Sequence, residues 1–167
     1  MIPPIDDFAA KMGNSDVERQ LAALLRQQSE EDRLQFIRQL IAIGQPKCFR
    51  AALRLVKSCL KSRESLLEIL NQGLRQADAS VIENWIEAVI AGLGFKRVLS
   101  VLSERIESDP ESVIKARYWL PKWIPEGNKS ATDAVHALDE LIASRIKESP
   151  QLQTWFRSIQ GFPEKGT

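Results

Sequence analysis

The sequence predicts an all-α chain of about nine helices, arranged as antiparallel pairs stacked into a short α-α superhelix. Three observations lead there. From Ser15 onward, apolar residues recur at helical spacing almost throughout. Strand signals are absent: there are no alternating Val/Ile/Thr runs and no Asn-Gly or Asp-Gly hairpin turns. The chain also matches itself at offsets close to the length of one helical hairpin.

The elements follow in order. Residues 1–14 carry two prolines, one glycine and no sustained period, and read as a flexible N-terminal arm. Asn14-Ser15-Asp16 caps a first helix whose apolar face is Val17, Leu21, Leu24 and Leu25. Ser29 opens a second, with Asp32 at its third helical position as a variant of the capping box. Gly44 closes it, and Pro46 starts the third where a missing N–H costs nothing. Ser62 starts a fourth helix and Asp78 caps a fifth, which runs to Gly92-Leu93-Gly94. A sixth covers about 95–108, and Asp109-Pro110 opens a seventh. Pro121 should kink or end that helix. Pro125-Glu126-Gly127-Asn128 is a loop, Ser130 caps an eighth helix, and Ser149-Pro150 opens a ninth. Gly161 to Thr167 reads as a C-terminal tail.

The internal match is clearest at the turns. Ser103 to Glu111 aligns with Ala143 to Gln151, placing Asp109-Pro110 on Ser149-Pro150. Ser80-Val81-Ile82 aligns with Ser112-Val113-Ile114, and Leu66, Ile69, Leu70 and Leu74 fall on Val98, Val101, Leu102 and Ile106. Residues 15–160 then form a single helical-repeat domain, a capping helix followed by about four pairs. The first helices of the pairs cover 30–43, 64–77, 95–108 and 131–148. Their second helices cover 46–61, 79–92, 110–123 and 151–160.

By period, hairpin order and the Asp-Pro between helices, residues 30 to 160 resemble HEAT-like and armadillo-like helical repeats. One hairpin cannot bury its own apolar face, so neighbours must stack. The resemblance implies a curved binding scaffold with the second helices on its concave side.

Composition narrows the function classes. At 167 residues, with 44% apolar and 27% charged residues, the chain is too apolar for disorder. A net charge of +1 gives no global field favouring nucleic acid or membrane. Two Cys and one His exclude a disulfide scaffold and a His/Cys zinc site. Cys48 and Cys59, about 16 Å apart along one helix, cannot bridge each other. Met1-Ile2-Pro3-Pro4 has no basic n-region, and no apolar run is long enough for a span, so a cytoplasmic protein with no membrane partner is expected.

The candidate binding residues lie on the second helices of the pairs. Lys47, Arg50, Arg54, Lys57 and Lys61 share one angular sector, with no acidic residue between Asp32 and Glu64. The same sector of the next second helix holds Glu83 and Glu87, and of the one after it Lys115, Trp119 and Lys122. Such alternation suits a protein partner, because charge complementarity supplies specificity. It suits a phosphate backbone less, although the Lys47–Lys61 row alone would serve one. Pairing of Arg50 or Arg54 with Glu83 or Glu87 across neighbouring helices is the structural alternative. Trp119 is the expected hot spot of the Tyr118–Trp123 cluster. Arg117 falls on a core-facing arc and should either clamp two helices through a carboxylate or backbone carbonyls, the favoured reading, or bind a ligand.

Catalytic signals are weak. His136, the only histidine, sits beside Glu140 one turn on, outside the apolar face. There is no phosphate loop, no Gly-x-Ser-x-Gly and no His-Glu-x-x-His. Some helical-repeat proteins are DNA glycosylases, and the candidate sector offers Glu83 and Glu87 near Trp119 for that chemistry, though no motif marks them. The expected function is a non-catalytic protein-interaction module without a cofactor, ahead of a nucleic-acid binder and a base-excision enzyme.

Overall fold

The computed structural model describes residues 4–76, 78–124 and 126–160. The expected tail, Gly161 to Thr167, lies outside the described residues. Every described element is helical: α1 (Ile5–Ala9), α2 (Ser15–Arg26), α3 (Glu30–Ala42), α4 (Pro46–Cys59), α5 (Arg63–Gln76), α6 (Ala79–Leu93), α7 (Phe95–Arg105), α8 (Pro110–Trp119), α9 (Lys129–Glu148) and α10 (Pro150–Gln160). A 3₁₀ turn over Leu120–Trp123 follows α8.

The helix ends follow from side chains that satisfy orphan N–H groups. Asn14 accepts from the Asp16 and Val17 amides, and Ser29 from that of Asp32. Asp109 accepts from the Ser112 amide, with Pro110 at the first helical position. Asn128, not Ser130, caps α9, accepting from Ala131, so that helix begins one residue earlier than Ser130. Asp78 occupies the cap position of α6, but its side chain bonds no helix amide. Gly44 and Gly94 end α3 and α6 with φ of 73° and 80°, a region that glycine enters without steric cost. Pro121 ends α8 as an α-helix, and the chain tightens into the 3₁₀ turn instead.

The helices fall into two compact units, one ending at Gly94 and one beginning at Phe95. In the first unit, α2, α4 and α6 lie side by side as one layer. Helices α1, α3 and α5 form the other, and α3 packs on α4 as α5 packs on α6. First helices thus touch first helices and second helices touch second helices. Leu21, Leu25, Ile37, Leu40, Val56, Ile69, Leu70, Ile82 and Ile86 are fully buried here. Each large aliphatic chain so buried stabilises the unit by about 1.5–3 kcal/mol.

The segment read from sequence as an arm carries α1, which packs on α3. Phe8 stands edge-on to Phe36, Met12 is buried, and Lys47 Nζ donates to the Ala10 carbonyl at 3.1 Å.

In the second unit, α7 packs against α8 and α9, and α9 against α10. Val98, Leu102, Val113, Leu120 and Leu138 make its core. Arg117 of α8 forks onto Asp139 of α9, with Nε and Nη2 donating to the two carboxylate oxygens at 2.5 and 2.8 Å. This is the clamp expected of a charged residue on a core-facing arc.

Candidate functional site

The candidate surface of the first unit is the α2–α4–α6 layer, built around α4. Apolar residues occupy most of α4's circumference, which forces Lys47, Arg50, Arg54 and Lys57 into one exposed row. Lys61 continues the row just past the helix end and is also exposed.

Two of these cations are neutralised by neighbouring helices. Arg54 forks onto Glu18 of α2, its Nε and Nη2 donating to the two carboxylate oxygens at 2.8 and 2.6 Å. Glu18 is the better buried partner, with its side chain only 14% exposed. The bond to Arg54 holds the Glu18 carboxyl below its ordinary value. Burial opposes this, and the Gly13 amide assists it. The same bond raises Arg54. On the other flank, Lys57 Nζ donates to Glu87 of α6 at 2.7 Å. The pairing expected from sequence, Arg50 or Arg54 with Glu83 or Glu87, is not found among the described residues: Glu87 takes Lys57 instead, and Arg54 takes Glu18 from α2. Glu83 is half-buried on α6. Arg50 Nε donates to its own helix carbonyl, Pro46, and among the described residues no carboxylate pairs with Lys47, Arg50 or Lys61.

The cations of α4 border a cleft on each side of the helix. The one toward α6 has a volume of about 210 Å³ and is bounded by Arg50, Arg54, Lys57, Asn84 and Glu87. The larger, toward α2, has a volume of about 560 Å³, with Arg19, Arg26 and Arg54 around Ala22 and Leu55. Glu18, Arg19 and Arg26 were not among the residues singled out from sequence. The available signal was their spacing: Glu18, Ala22 and Arg26 recur every fourth residue, beside the Leu21/Leu25 stripe.

The other three candidate residues, Lys115, Trp119 and Lys122, belong to the second unit. Lys115 and Trp119 are half-buried. Tyr118, 74% exposed, carries the exposure expected of Trp119, and the two rings meet edge-on with centroids 5.0 Å apart. The angular argument placed the residues around Pro121 less well, because α8 stops at Trp119 and the 3₁₀ turn changes the period. Lys122, exposed on that turn, lies 5.5 Å from the Trp123 ring centroid. His136 is exposed on α9.

Among the described residues, no group of three or more His, Cys, Asp or Glu side chains could hold a metal ion. No described helix is long and apolar enough to cross a membrane. Compared with protein-family models, curated proteins and solved structures, the chain has no match.

Proposed function

We propose that the protein is a non-catalytic interaction module of the helical-repeat kind that binds a partner protein through the α2–α4–α6 layer. The observation that carries this reading is the mixed charge of that layer. A row of exposed cations runs along α4, with carboxylates of α2 and α6 paired into its flanks. A polyanion would meet Glu18 and Glu87 on either side of the row, whereas a protein can place opposite charges against each sign. The side-by-side stacking of first helices and of second helices in the first unit supports the repeat reading. The buried thiols of Cys48 and Cys59 suit a reducing compartment, which favours the cytoplasm.

The test is a pull-down from lysate with and without nuclease, using the full chain and an Arg50→Glu/Lys61→Glu variant as baits. A protein that survives nuclease and is lost with the variant is the expected result. Material that vanishes with nuclease, and whose binding falls steeply between about 50 and 200 mM salt, would assign the row to nucleic acid instead.

A further inference from the structure

We infer that the groove between α2 and α4 receives a short acidic segment of a partner protein, in extended conformation. This rests on the protein-binding reading above and specifies the chemistry of the partner.

The groove has direction and length. Glu18 meets Arg54 near the start of α2 and Arg26 meets Ser58 near its end, so the two helices run the same way along it. From Ser15 to Arg26 the groove spans about 16 Å at 1.5 Å per residue, which an extended chain covers in about five residues. Its volume of about 560 Å³ accommodates several side chains.

Its donors are incompletely used. Arg26 Nε donates to the Ser58 carbonyl at 3.3 Å, and among the described residues its terminal nitrogens have no partner. Arg54 spends Nε and Nη2 on Glu18, leaving Nη1. Arg19 is anchored to Asp16 through Nη2 alone. Arg54 is held by a two-point contact to Glu18, and Arg19 and Arg26 each keep N–H groups beyond their single intramolecular bond. Those remaining donors are what a carboxylate would take up.

The groove walls distinguish a peptide from a nucleic acid. Ala22 and Leu55 give a place for an aliphatic side chain between acidic ones. Among the described residues, no aromatic side chain lines the groove to give a single strand a stacking platform. Glu18 is already paired with Arg54, and a peptide can set an uncharged residue beside it, whereas a continuous phosphate chain cannot skip a charge there.

The experiment is fluorescence anisotropy on the full chain with three probes. These are a short labelled peptide of Glu with interspersed Leu, its Gln-for-Glu counterpart, and a single-stranded oligonucleotide of similar length. The Glu peptide should bind at least about tenfold more tightly than the Gln peptide. Arg19→Ala/Arg26→Ala should weaken the Glu peptide about tenfold, and Arg19→Ala alone about threefold. Arg19 is exposed and bonded only within its own helix, so the single variant retains the fold and keeps the test decisive. Equal affinity for the two peptides, no binding of the Glu peptide, an oligonucleotide that binds more tightly, or wild-type affinity in both variants would each overturn the inference. A partner captured in the pull-down and retained by Arg19→Ala/Arg26→Ala would sink this inference while leaving the protein-binding function standing.

Discussion

Single residues show where this fold has no slack. Gly73 is buried in α5, and a Cβ there would lie 2.5 Å from Trp85 Cγ and Cδ2 and 2.7 Å from its Cβ. The obstruction is the root of an aromatic side chain, which cannot swing aside without moving α6. Gly73→Ala should therefore cost about 1–2 kcal/mol net, despite the roughly 1 kcal/mol that alanine adds in helix propensity. Gly92 gives the opposite case. Its added Cβ would meet only the far end of the Leu66 side chain, a flexible group that can rotate. Gly92→Ala should be neutral or slightly stabilising. Urea denaturation of both variants checks the contrast, and equal midpoints for the two would contradict it. Neither glycine could be interpreted from sequence, because a helical pattern does not reveal which residue of the facing helix it meets. Arg117 was more legible. Its charge on an apolar arc demanded a partner, and only the choice of Asp139 needed the fold. Breaking this half-exposed pair with Arg117→Ala should lower stability by about 1 kcal/mol, measurable in a double-mutant cycle with Asp139→Ala.

At the level of elements, the helix termini carry the organisation, and one cluster ties four of them together. Arg33 donates to the Gln28 carbonyl at 2.8 Å, to that of Arg26 at 3.3 Å and to that of Cys59 at 2.9 Å, closing the ends of α2 and α4. Glu30, paired with Arg33, accepts from the Lys61 and Ser62 amides at 2.8 and 2.9 Å, ahead of α5. Burial pushes the Glu30 carboxyl upward. The Ser62 and Lys61 amides, Arg33 and Ser65 together outweigh it and hold the group below its ordinary 4.5. A carboxyl lowered in the folded state stabilises it above the unfolded value, and that contribution disappears as pH falls through the folded value. Glu18 behaves alike, and Asp109 does so from its ordinary 3.8. Stability should thus fall as pH drops below about 4.5. Glu30→Gln keeps the amide acceptor but loses the charge, and should flatten this acid limb in denaturation curves taken across pH. An unchanged slope would show that Glu30 does not carry it. Helix starts and stops were largely readable, since Asn14, Ser29, Pro46, Asp109-Pro110 and Pro150 signal them locally. Helix α1 was not, because a five-residue helix is too short to display a period; it is packed by Phe8 on Phe36, a contact distant in sequence.

For the whole molecule, charge is the property that links folding to binding, and net charge hides it. The chain is nearly neutral at +1, yet the residues between Asp32 and Glu64 include no acid. The row along α4 was therefore visible in the sequence. Which of its members serve the fold was not, because that depends on Glu18 and Glu87 arriving from other helices. The structure separates the two sets. Arg54→Glu would set a second carboxylate against the poorly exposed Glu18 and leave the latter without its partner, so it should destabilise the protein by about 1–3 kcal/mol. Arg50→Glu/Lys61→Glu changes exposed groups that pair with no carboxylate among the described residues, and each change subtracts two charges, taking the net charge from +1 to −3. Surface changes of this kind stay within about 0.5 kcal/mol each. The double variant should keep the wild-type denaturation midpoint and lose the partner, while Arg54→Glu should lower the midpoint even without one. If the double variant unfolds as readily as Arg54→Glu, the whole row is structural and the binding surface lies elsewhere. If it keeps both its midpoint and its partner, Arg50 and Lys61 are only a solvated edge, and recognition rests on the α2–α4 groove or on the second unit.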